Sequence, residues 1–225
     1  MGNKRPEGAA QILSQVINPA LAELEHYKIP ATDRARVMLL AICGQEAVFV
    51  HRRQLVGSPP RPTGPATGLW QFEQGGGVKG VMEHRASRKI AHTFAMSRVK
   101  SLDYRQIWQA LEHDDFLAAI FGRLLLWTSP KALPQMEFSA EQSAWDEYIF
   151  GWRPGKPHRH TWGGHWRTAI NTVLEQPQAE PPKVATADQG YVTRAEFEAL
   201  QTDVDALRAE VAKLQTAGSR VVAGG

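Results

Sequence analysis

The 225-residue chain is short of three things: cysteine, long apolar runs and an excess of charge of either sign. A single cysteine, Cys43, excludes an intramolecular disulfide. Its place inside an apolar segment makes it a small buried hydrophobe rather than a nucleophile. No apolar stretch reaches the roughly 20 residues that span a bilayer. The start, Met1-Gly2-Asn3-Lys4-Arg5-Pro6, is basic but no apolar core follows it, so no secretory signal is expected and synthesis in the cytoplasm is. A net charge of +3 is too small to select a polyanion, and nucleic-acid binding would rest on scattered Arg and Lys alone. His158 and His160 lack a His-Glu-x-x-His pattern or a second cysteine, so no metal is expected. Gly75-Gly76-Gly77 lacks the Lys-Ser/Thr of a P-loop and the spacing of a dinucleotide fingerprint; it reads as a flexible or tightly turning connection, and no cofactor is expected.

Alternating strand patterns are also scarce, which leaves a mainly α chain with at most a small β-hairpin, placed around residues 68–80. Hydrophobic content of 43% and charged content of 22% are those of a globular protein. Residues 8–27 carry Ile12, Val16, Ile17, Ala20, Leu21 and Leu24 at helical spacing, with Pro19 bending or dividing the helix. Thr32 or Asp33 caps a second helix built on the apolar run Val37 to Phe49. Residues 56–67 hold four prolines and two glycines and read as a surface loop. The cluster His51-Arg52-Arg53-Gln54 before it is either a solvated helix end or a contact for an acidic ligand. Helices are predicted over 86–100 and 103–112, the latter capped by Asp103. A helix from Asp114-Asp115 to Trp127 is nearly apolar all round and belongs in the core. Ser139-x-x-Gln142 predicts the cap of a helix running through Phe150, and 162–174 the last domain helix, with Trp166, Ile170, Val173 and Leu174 inward.

The chain therefore divides into a helical domain over 1–175, a Pro- and Ala-rich linker over 176–190, a helix over 191–217 and a tail over 218–225. Within 193–215, Phe197, Leu200, Val204, Leu207, Val211 and Leu214 recur by threes and fours as a coiled-coil seam. That segment is a homo-oligomer or assembly contact, or a single amphipathic helix docked on a partner or on its own domain.

One carboxylate, Glu46, sits near the end of the apolar helix. It is either solvated on a rim or held at the wall of a cleft, where apolar neighbours would raise its pKa into the range of a general acid. The pair of segments Gln45-Glu46-Ala47 and Gly68-Leu69-Trp70-Gln71-Phe72 resembles the two leading motifs of lytic transglycosylases and goose-type lysozymes, including phage-encoded members. In that family a helix ends in a catalytic Glu, usually followed by Ser, and a Gly-Leu-Met-Gln-like turn floors the sugar cleft. Here Ala47 and Trp70 depart from that pattern. The segment from Tyr148 to Pro157 is similar to the family's third motif, with Tyr148 at its Tyr position and without its Asn.

The resemblance implies a lysozyme-like domain that binds peptidoglycan glycan strands and cleaves the MurNAc-β-1,4-GlcNAc bond. Glu46 would be the catalytic acid and base, with Gly68, Trp70, Gln71 and Tyr148 as substrate-binding residues. Arg153, with Lys156 on a Pro-Gly turn, is either a further substrate-binding residue for glycan carboxylates or N-acetyl groups or part of a solvated loop. For Trp70, simple core packing is the competing role. A hydrolase would need a second carboxylate, for which Glu73 and Asp146 are the candidates. Without a signal segment, such a protein would act from a virion or reach the periplasm or cell wall by another route. The alternative is a phage structural protein whose lysozyme-like domain is inactive.

Overall fold

The computed structural model describes residues 5–176, which fall within one unit bounded by Met1–Gln176. The linker, coiled-coil and tail expectations lie outside the described residues. The unit is mainly helical, with one small antiparallel sheet. The first helical stretch is α1 (Ala9–Ile12), a π-helical turn (Leu13–Ile17) and α2 (Asn18–Glu25). Pro19 lies in the first turn of α2, where a missing N–H is tolerated, and the wider π turn carries the chain past it.

The central helix is α3 (Asp33–Ala47). Thr32 caps it, its Oγ1 accepting from the Ala35 N–H at 3.2 Å. Val37 through Gly44 are all buried, so the apolar run sits on the inside of the unit over two turns. The second core helix is α7 (Asp115–Trp127), capped by Asp114 and buried from Leu117 to Leu126. Between them lie α4 (Lys79–Glu83), α5 (Arg88–Arg98) and α6 (Tyr104–His113), the last capped by Asp103. A 3-10 turn (Phe138–Ala140) leads into α8 (Glu141–Trp152), and α9 (Arg159–Glu175) packs along α3. Gly44 makes that approach close: a Cβ there would stand 2.7 Å from His165 Nδ1 and 2.6 Å from Phe49 Cζ.

Several details differ from the sequence reading. The Pro-rich stretch is not a loop but most of a hairpin, β1 (Arg53–Val56) and β2 (Arg61–Thr67), with a cis Ser58–Pro59 bond in its turn. A short β3 (Phe72–Glu73) pairs β2 at Ala66 and Thr67, giving a three-stranded sheet in the order β1-β2-β3. Pro62 and Pro65 lie on β2 before its pairing with β3 begins, so their missing N–H groups break no bond to that strand. Of the two readings of the three glycines, the tightly turning one holds: they form part of a π-helical turn (Gln74–Val78). Ser139 does not cap α8; its hydroxyl donates to Glu137 Oε2 and α8 begins without a side-chain cap. Leu174 is exposed, while Trp162, Trp166, Ala169 and Ile170 form the buried stripe of α9.

Arg52 and Arg53 are not a solvated helix end: both are engaged in ion pairs within the unit. Arg52 is buried and donates to both oxygens of Asp115, at 3.1 and 2.8 Å, and to the carbonyls of Val50 and Pro6. Arg53 pairs with Glu112 at 2.9 Å, donates to the Gly64 carbonyl and stacks over Trp108. These two cations bind the start of the sheet to α6 and α7 and so fix the segment that follows Glu46. Among the described residues no helix is long and apolar enough to cross a membrane.

Candidate functional site

The C-terminal end of α3 presents Glu46 to α8. The carboxyl is half-buried, and desolvation raises its pKa to about 7. The hydrogen bond from Tyr148 opposes that rise, and the charge of Glu73 adds to it. Tyr148, almost fully buried on α8, donates its hydroxyl proton to Glu46 Oε1 at 2.7 Å. Burial, then the Glu46 charge and hydrogen bond, push the Tyr148 pKa upward. The phenol therefore stays a donor wherever Glu46 titrates. With Oε1 engaged, Oε2 is the oxygen free to carry and transfer a proton.

Tyr148 is held by aromatic packing. Its ring stacks on Trp162 of α9, with centroids 5.1 Å apart and planes 14° from parallel. Trp162 in turn stacks on Trp166, and Trp145 tilts against both Tyr148 and Trp162. Gln45, beside the acid, donates to the His158 carbonyl at 3.1 Å and accepts from the Thr161 hydroxyl at 3.0 Å. The end of α3 is thus tied to the start of α9.

The Gly68–Gln71 turn lies next to this helix end. Gly68 has φ +72°, and a Cβ there would stand 2.9 Å from the Leu111 carbonyl oxygen, so the turn requires glycine. The Gln71 side-chain amide donates to the carbonyls of Gly68 at 2.8 Å and His51 at 3.1 Å. Its Oε1 is buried without a partner. Gln71 therefore holds the turn against the segment leaving α3, and its donors are not offered to a sugar. Trp70 is fully buried, with Nε1 donating to the Leu39 carbonyl at 3.0 Å. An indole with no exposed surface cannot wall a cleft, so the expected substrate contact becomes core packing. Trp152 Nε1 donates to the Trp70 carbonyl at 2.9 Å, which joins α8 to the turn.

The two candidate second carboxylates separate. Glu73 is exposed at the end of β3, near enough for its charge to act on Glu46. Asp146 is exposed on α8 and accepts from Gln142 at 2.8 Å. Two helical residues before Tyr148 is about 200° around the axis, so Asp146 faces away from Glu46 and is not a partner for it. Arg153 caps the end of α8 in the left-handed region and is exposed beside the same helix.

Backbone strain gathers here. Val48, Phe49, Gln71 and Arg153 all have positive φ without being glycine, at 48°, 60°, 48° and 47°. Such conformations persist where the surrounding structure enforces them, and they cluster at sites. Sequence reasoning missed the Trp162 shelf and the Gln45–Thr161 link. Trp162 and Trp166 at i, i+4 carried a signal for the first. The second joins residues 116 positions apart and left none. Comparison with family models, with curated proteins and with solved structures finds no match for this chain.

Proposed function

We propose that this unit is a lysozyme-like domain that cleaves the MurNAc-β-1,4-GlcNAc bond of peptidoglycan as a lytic transglycosylase. The observation that carries the reading is Glu46 itself: a helix-end carboxyl, tuned to about 7, with one oxygen fixed by Tyr148 and the other free. The order of a Glu-ending helix, a small sheet and a Gly-Leu-x-Gln turn supports the same reading.

In the first step the proton on Glu46 Oε2 passes to the glycosidic oxygen as its bond to the muramic C1 breaks. The GlcNAc 4-hydroxyl leaves, and Tyr148 stabilises the new carboxylate. The muramic 6-hydroxyl then attacks C1 and returns its proton to Glu46. The 1,6-anhydro ring closes, no water is consumed and the acid is restored. Hydrolysis would instead need a base for water, and Glu73 is the candidate that remains near Glu46.

The segment over 193–215 is proposed as the helix that associates the protein with a copy of itself or a virion partner, which fits action from a phage particle on the wall. A second reading has a specific basis. Trp70 and Gln71 turn inward, and Ala47 stands where the family carries Ser, which suits an inactive structural domain of a phage particle. Clearing of purified peptidoglycan separates the two: the enzyme reading expects clearing by the wild type and none by Glu46→Gln. Absence of clearing on several wall types by a folded wild type favours the structural domain.

A further inference from the structure

At the far end of α3 the surface holds a second feature, a pocket of about 380 Å³. The distance from Arg34 to Glu46 along the helix is about 18 Å, so this pocket is not part of the Glu46 site. Its charged lining is Arg34, Arg123 and Lys131; its apolar lining includes Leu126, Trp127 and Leu133.

Arg123 sets this pocket apart from an ordinary basic surface. It lies on the buried helix α7 and is 3% exposed. A guanidinium this deep is normally matched by a carboxylate. Among the described residues none pairs with it. Its Nε is buried without an acceptor, and Nη2 reaches the Pro30 carbonyl only at 3.4 Å. The guanidinium carbon sits 5.2 Å from the centroid of the Trp127 ring. Pro30 and Trp127 both line the pocket, so the guanidinium lies at its wall. The other two cations, Arg34 and Lys131, are exposed at the same opening. The N-terminus of α3, capped by Thr32, adds its positive dipole end. The nearby Asp33 is bonded to Arg36 at 3.0 Å and does not line the pocket.

We propose that this pocket binds a small carboxylate ligand with a flat apolar body. The oxyanion would meet the Arg123 guanidinium at the pocket wall, supplying the anionic partner that this side chain lacks. The apolar body would lie against Leu126, Leu133 and the Trp127 ring. Arg34 and Lys131 would draw the anion in and make binding weaken with salt.

The test is calorimetric and NMR titration of the full-length protein with benzoate, alongside phenyl phosphate and inorganic phosphate. Benzoate should saturate with a Kd on the order of 1 mM, as suits so small a ligand. It should shift the Trp127 indole resonance and leave the Glu46 carboxyl resonance unmoved. Arg123→Met, which keeps the aliphatic volume, should weaken benzoate at least about tenfold. Should that variant fail to fold, Arg34→Glu and Lys131→Glu lie on the surface and should each weaken it several-fold. Tighter binding of phenyl phosphate than benzoate would overturn the carboxylate assignment in favour of a phosphate ligand. No saturable binding of any probe, or benzoate affinity unchanged in every folded variant, would overturn the site.

Discussion

Tyr148→Phe removes one hydrogen bond and leaves the aromatic shelf in place. The bond runs from the Tyr148 hydroxyl to Glu46 Oε1 at 2.7 Å and favours the charged carboxylate. A hydrogen bond to a charged group contributes about 1.5–3 kcal/mol. The neutral carboxyl also accepts the bond, at roughly half that strength. The difference, about 1 kcal/mol, corresponds to a little under one pH unit. Glu46, near 7 in the wild type, should therefore titrate higher in Tyr148→Phe by about that amount. Glu73→Gln removes a like charge and should move it the other way. Carbon-13 NMR of the Glu46 carboxyl, followed from pH 4 to 9, measures all three proteins without relying on turnover. If the wild-type carboxyl titrates near the ordinary glutamate value, or if Tyr148→Phe lowers it, the reasoning fails. In the enzyme reading Glu46 must be protonated to act, so activity falls as pH rises through this pKa. The basic limb of the rate profile should shift up in Tyr148→Phe and down in Glu73→Gln.

Further outcomes follow from the same geometry. Because the folded pKa of Glu46 lies above its usual 4.5, the folded state holds the extra proton between those values, and stability declines as pH rises from about 4.5 to 7. Glu46→Gln should be more stable than the wild type at pH 8, by at most about 3 kcal/mol, and should flatten that decline in urea unfolding. Arg52→Ala leaves Asp115 with only the more distant Arg5, at 3.6 Å, and should cost about 2–4 kcal/mol of unfolding free energy, with loss of sheet signals in amide exchange. Gly68→Ala forces a Cβ against the Leu111 carbonyl at positive φ and should destabilise by about 1–3 kcal/mol in the same assay.

Much of this arrangement could be read from the chain. The apolar runs that became α3 and α7, and the caps at Thr32, Asp103 and Asp114, are local signals that tertiary packing did not override. Glu46 was legible because a carboxylate near the end of so apolar a helix must find a neutralising or bonding partner. The sheet was not legible, because prolines argue against a strand, and only the fold shows that β3 pairs β2 beyond Pro62 and Pro65. Trp70 shows a different limit. A motif position gives residue type and turn shape, but the side to which the indole turns depends on the Leu39 carbonyl, 31 residues away. The exclusion of Asp146 follows from helix geometry once Tyr148 is known to face Glu46; without that contact either face of α8 was open.

The central claim is that Glu46 acts first as acid and then as base on glycan. Mass spectrometry of purified peptidoglycan after incubation with wild type and with Glu46→Gln tests it most directly. The wild type should yield 1,6-anhydromuramic ends and the variant none. Reducing ends in place of anhydro ends, or anhydro ends produced equally by Glu46→Gln, would contradict it.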